Sequence, residues 1–217
     1  LVRYSNDFSI WDLESVNHYK DQTDIFFTCH EFSYNKIAEA YEPYLGLIRQ
    51  MFHKYCSGTL EEFMEECDVY KLQRPVFESY FEKGFCERTE QILIDEVEYE
   101  QERMHSSIVT MLQKLSEICP IVIVLNRFQL ASKSTMQLTN RLLQTKNKNI
   151  GIVLGVNDVQ SIPEFAHEEW DAICESMDDR NMVYHIGNAG RNMEPDVMDY
   201  YSDYESDDGY RKLNNLV

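Results

Sequence analysis

PIVIVLNRFQLASKSTMQLTNRLLQTKNKNIGIVLGVND, residues Pro120 to Asp158, decides the fold. Ile121 to Leu125 is an apolar, β-branched run, too short for a free helix and suited to a strand buried on both faces. Between Lys133 and Lys148 the apolar residues Met136, Leu138, Leu142 and Leu143 recur on one helical stripe. A second apolar run, Ile150 to Val156, carries two glycines. Strand, helix, strand over this length is a βαβ unit with parallel strands and a right-handed crossover. Ligands in such sheets bind just past the carboxyl ends of the strands. Those ends fall here at Asn126-Arg127 and at Gly155-Val156-Asn157-Asp158.

Upstream, the order repeats. Leu1 to Tyr4 is short and suited to a strand, and Ser5-Asn6-Asp7 makes a turn. Ser9 or Asp7 then caps a helix through Lys20 with Ile10, Leu13 and Val16 on one stripe. Asp24 to His30 follows as a strand, so a second βαβ unit is expected. Beyond a polar loop, Pro43 starts a helix, because proline is tolerated in a first turn but not inside one. Thr59 and Glu62 are spaced for a capping box, and a further helix runs from Pro75 to near Gly84. The longest periodic stretch is Glu87 to Cys119. Downstream of the central unit, Pro163 opens a helix through about Met177, and Asn181 to Ile186 is strand-like.

The pattern therefore predicts an α/β fold, a three-layer parallel sheet of about five strands at 1–4, 24–30, 120–126, 149–156 and 181–186. Residues 1–190 form the domain, with a helical insertion at 37–118. Residues 191–217 add an acidic, tyrosine-rich loop and the start of a following helical region. The chain lacks an initial Met and ends on Leu216-Val217, as expected of a piece of something longer.

A net charge of −18 over 217 residues opposes a nucleic-acid or anionic-membrane surface, since phosphate contacts need clustered Lys and Arg. The six cysteines are scattered, with no CxxC and no zinc spacing. That usage points to a reducing, cytoplasmic compartment. No apolar run approaches the ~20 residues a membrane helix requires.

The element order resembles the nucleotide-binding core of AAA/STAND-type P-loop ATPases, in particular the ATPase-like modules of large bacterial signalling regulators. An aromatic segment of the form Y-x-P-Y/F followed by I/L-R is matched by Tyr41-Glu42-Pro43-Tyr44 and Ile48-Arg49. The family's magnesium-binding strand ends in two acids, with Trp and Asp following; IVIVLNRFQLAS is similar, with Asn126 and Arg127 at the acidic positions, Leu130 at the Trp and Ser132 at the last Asp. Ile152 to Asp158 resembles the family's sensor strand.

The departures bear on activity. Hydrolysis needs a G-x-x-x-x-G-K-S/T loop whose amides and Lys hold phosphate and whose hydroxyl holds magnesium. At its position stands Ser5-Asn6-Asp7-Phe8, with neither Gly nor Lys. Asn126 and Arg127 supply no carboxylate for the metal. The resemblance thus implies a degenerate nucleotide site at Ser5, Asn6, Asp7, Phe8, Asn126, Arg127, Gly155, Asn157 and Asp158, with no catalytic residue and no resident cofactor, ATP being the one candidate. A P-loop upstream of residue 1 would displace that assignment. The expected role is a non-catalytic regulatory or interaction module of a multidomain signalling protein, whose partners are other domains of its own polypeptide or another protein. The alternatives are a nucleotide sensor that binds without hydrolysing, and an unrelated α/β hydrolase or metal enzyme using His30, Glu31 and Asp158.

Other signals have simpler explanations. Glu102-x-x-His105 has di-metal bundle spacing but no second copy, so a solvated helix face is expected. His185 is expected as a packed strand residue, and Gly187-Asn188-Ala189-Gly190 as a turn. The acidic tract 194–208 lacks EF-hand spacing. Arg127 is positioned to pair with Asp158 across the cleft.

Overall fold

The computed structural model describes residues 1–4, 10, 14–33, 35, 40–84, 97–145, 147–157, 162–178 and 184–186. Ser5 to Phe8, Asp158, the glycine turn after Ile186 and the whole of 191–217 lie outside the described residues. Along the chain come β1 (Val2–Tyr4), α1 (Glu14–Lys20), β2 (Phe26–Glu31), α2 (Glu42–Tyr55), α3 (Leu60–Glu66), α4 (Arg74–Lys83) and α5 (Val97–Ile118). They are followed by β3 (Ile121–Asn126), α6 (Lys133–Gln144), β4 (Ile150–Asn157), α7 (His167–Asp178) and β5 (Tyr184–Ile186).

Every described strand pairing is parallel, and the strands lie in the order β2-β3-β4-β1-β5. The central unit forms as expected: β3 and β4 are neighbours, in register from Ile121 opposite Ile150 to Leu125 opposite Leu154. The opening unit differs. Its two strands are parallel to the rest but stand apart, because β3 and β4 lie between β1 and β2. Side-chain alternation sets which faces of a strand are apolar and carries no information on neighbour order.

β3 is buried at all six positions, as a strand covered on both faces must be. Its residues divide between two clusters. Ile121, Ile123 and Leu125 join the large core with side chains from α2 to α7, while Val124 joins a small cluster with Val2, Ile10 and Val16 of α1. Side chains of α2 to α7 thus join the core on one face of the sheet, and among the described helices α1 alone belongs to the cluster on the other. On that second face, Phe27, Cys29 and Val153 remain only half-buried.

Local signals fix the helix ends. Thr59 and Glu62 form the reciprocal capping box, with each backbone N–H bound by the other's side chain at 3.2 and 2.9 Å. Pro43 sits in the first turn of α2, and Gly84 ends α4 at φ 80°, a conformation that glycine adopts without a Cβ penalty. Ser132 caps α6, its hydroxyl accepting from the Thr135 N–H. The helix on the long periodic stretch is described from Val97 onward; residues 85–96 lie outside the described residues.

Candidate functional site

The aromatic segment that opens α2 has a structural task. Tyr44 is fully buried, and its hydroxyl lies 2.5 Å from Thr139 Oγ1 on α6. Thr139 spends its own proton on the Thr135 carbonyl at 2.7 Å, so Tyr44 donates. Burial pushes the Tyr44 hydroxyl pKa well above its ordinary value. Tyr41, at φ 63°, bonds from its backbone N–H to Thr135 Oγ1 at 3.1 Å and sets its ring edge-on to His105 at 5.4 Å. These contacts tie α2 to α5 and α6.

The strand ends meet at the cleft that the sheet topology marks. Tyr4, the last residue of β1, donates from its hydroxyl to Asn126 Oδ1, the last residue of β3, at 2.6 Å. The bond is buried, and burial is the main cause of a raised Tyr4 pKa, with Arg127 opposing it. Gly155 on β4 lies directly beneath. A Cβ there would come within 2.7 Å of Ile10 Cδ1, 2.8 Å of Asn126 Oδ1 and 3.4 Å of the Tyr4 ring. The carboxyl ends of β1, β3 and β4 are therefore packed by the chain's own side chains. Asn157 is buried beside them, and the Gln129 amide points at its carbonyl at 3.5 Å.

Arg127 follows at φ 52°, a left-handed conformation that costs a non-glycine residue about 1–2 kcal/mol. It turns the chain into a single 3-10 turn, Phe128–Leu130, whose Phe128 is fully buried against Phe32 and Trp170. The Arg127 guanidinium lies 3.4 Å from Glu31 at the end of β2. Its described partner is thus on the neighbouring strand, whereas the expected partner, Asp158, lies outside the described residues. Both members are substantially exposed, so the pair adds little stability.

Of the residues that the resemblance implies for a nucleotide site, the structure brings together Asn126, Arg127, Gly155 and Asn157. Tyr4, Ile10 and Glu31, which complete the cluster, carry no motif; nothing near them in sequence announces partners more than ninety residues away. His30 and Glu31 do not converge. As consecutive strand residues they point to opposite faces. His30 packs edge-on against Phe32 at 4.6 Å and lines a small pocket with Glu42 and Pro43, while Glu31 goes to Arg127.

The described cysteines are thiols without disulfide partners. Burial pushes Cys29 up to about 11 and Cys67 up to about 12, so neither presents a thiolate nucleophile near neutral pH. Among the described residues no group of three or more His, Cys, Asp or Glu side chains is arranged to hold a metal. No described helix is long and apolar enough to cross a membrane.

One sequence expectation is overturned. His105 is not on a solvated face: it is 4% exposed, held between Tyr41 and the start of α6, although Glu102 one turn earlier is open to solvent. Burial is the largest influence on the ring and lowers its pKa; Glu102 opposes that, Arg141 adds to it, and a hydrogen bond to the Ser134 backbone opposes it. Comparison with family models, with curated proteins and with solved structures returns no match for this chain.

Proposed function

We propose that this chain is a non-catalytic regulatory or interaction module of a larger signalling protein, built on an ATPase-like α/β core that has lost its nucleotide chemistry. One observation carries the proposal: the Tyr4 hydroxyl is bonded to Asn126 Oδ1, with Ile10 seated over Gly155. Side chains of the chain itself take up the ground between β1, β3 and β4 where a phosphate and its magnesium would be held. Asn126 and Arg127 add no carboxylate there. The all-parallel sheet, with β1 flanked by β4 and β5, is compatible with the AAA/STAND resemblance. On this proposal the domain works in a reducing, cytoplasmic compartment, and its partners are other domains of the same polypeptide or a second protein.

Calorimetric titration with ATP and magnesium tests it, alongside a phosphate-release assay. The expected result is no saturable heat and no turnover. Micromolar binding coupled to turnover overturns the proposal outright. Saturable binding without turnover replaces it with a nucleotide sensor.

A further inference from the structure

The outer surface of α6 is the floor of a groove walled by α5 and α7, with a volume of about 610 Å³, within the range of small-molecule sites. Its lining is polar and carries Glu102, Glu168 and Glu169 against the single cation Arg141. Arg141 is already bonded to Glu102. Three side-chain atoms on this lining are buried with no partner among the described residues: His105 Nε2, Asn140 Oδ1 and Glu169 Oε2. His105 and Glu169 are more than nine-tenths buried.

All three atoms are acceptors. The Glu169 carboxylate has only its other oxygen engaged, by Lys133 at 3.0 Å and by the Gln137 amide at 2.9 Å. Burial lowers the His105 pKa and so favours the neutral ring, and the Ser134 backbone is its hydrogen-bond partner. A backbone bond that favours the protonated ring is one the carbonyl accepts. With the tautomer assigned so that Nδ1–H makes that bond, the neutral ring carries its lone pair on Nε2. A buried acceptor without a donor is costly, so each of these atoms favours an N–H partner.

We propose that this groove binds a small organic cation rich in N–H donors, an aliphatic amine or guanidinium, which satisfies these acceptors and offsets Glu168, the lining acid outside the two described ion pairs. The atoms have almost no accessible area of their own, so the occupant meets them after a side-chain rotation at the rim, with half-buried Asn140 the simplest to turn. A metal ion fits less well, because the carboxylates and His105 do not converge into a coordinating group. The site lies on the helical layer, shares no lining residue with the strand-end cleft, and stands independently of the function proposed for that cleft.

Spermidine and agmatine, titrated calorimetrically at low ionic strength, are the probes. A protein of charge −18 attracts any polycation, so the controls carry the test. The expected result is one saturable site whose Kd rises roughly tenfold or more in Asn140→Leu and in Glu169→Gln. Glu61→Gln, which removes a charge from the exposed face of α3, leaves that Kd unchanged. Asn140→Leu leaves the Lys133–Glu169 pair intact, which separates loss of the site from loss of fold. In the wild type, binding shifts the His105 Nε2 resonance. Absence of saturation, equal weakening in all three variants, an unmoved His105 resonance, or the same variant-sensitive binding with magnesium or zinc chloride alone overturns the proposal.

Discussion

The strand-end cleft and the groove over α6 treat polar side chains in opposite ways. In the cleft, Asn126 is bonded to Tyr4, Arg127 lies beside Glu31, and Gly155 leaves room for its neighbours and nothing more. In the groove, His105, Asn140 and Glu169 each keep a buried acceptor without a partner among the described residues. The cleft is where topology and motif resemblance direct attention, and its polar capacity is spent internally. The groove's one sequence signal, Glu102-x-x-His105, points to no ligand by itself, and three of its acceptors are unspent. Position in a fold indicates where a family keeps its chemistry; hydrogen-bond satisfaction indicates whether a given chain still has any to offer there.

The sharpest way to break this contrast is to add a methyl group to the cleft. In Gly155→Ala the new Cβ meets Ile10 and Asn126 at distances that real side chains do not tolerate. Ile10 is 1% exposed and Asn126 is bonded, so neither yields easily. Overpacking of this kind costs about 1–3 kcal/mol, to be measured by urea denaturation. An unchanged midpoint would show that the cleft has slack and that its packing is no barrier to a ligand.

Removing one oxygen sharpens the same contrast with a smaller effect. Tyr4→Phe leaves Asn126 Oδ1 buried and without its donor, a loss of about 1–2 kcal/mol. The double variant Tyr4→Phe with Asn126→Leu removes both partners and should recover much of that loss, since an apolar pair leaves nothing unsatisfied. A single variant as stable as the wild type would mean that the hydroxyl contributes nothing to closing the cleft.

Much of the architecture is legible in the sequence because it is local. The capping box at Thr59, the first-turn proline of α2, the glycine ending α4 and the two apolar runs flanking α6 act within a few residues. What fails to be legible is what depends on distant partners. Tyr4 and Asn126 are 122 positions apart, and only the placing of β4 beside β1 brings them together. Arg127 has an acid adjacent in the expected cleft, Asp158, yet its described partner is Glu31 across β2 and β3. At the cleft, β3 and β4 end where the apolar runs end, at Asn126 and Asn157, whereas the side chains that pack between them have no local sequence signature.

His105 is the residue whose surroundings the sequence conceals most fully, between Glu102 and Arg103 on one side and Ser106 on the other. Its burial comes from Tyr41 and α6, and it gives the smallest of the expected effects. Burial depresses the folded-state pKa from the ordinary 6.5, against the attraction of Glu102 on its own helix and with the repulsion of Arg141 on α6. Glu168 and Glu169 face the same groove from α7. With the folded value the lower one, the unfolded chain takes up the proton first as pH falls. Stability contributed by the neutral ring is complete above 6.5 and is lost as pH drops from there toward the folded value. The loss is bounded by about 1.4 kcal/mol per pH unit for one proton. His105→Phe retains the edge-on contact with Tyr41 and has nothing to protonate. Denaturation midpoints of variant and wild type should therefore diverge as pH falls through 6.5, with the wild type falling faster. Parallel curves would place the imidazole in water, and with it the groove's acceptors would cease to differ from those of any solvated helix.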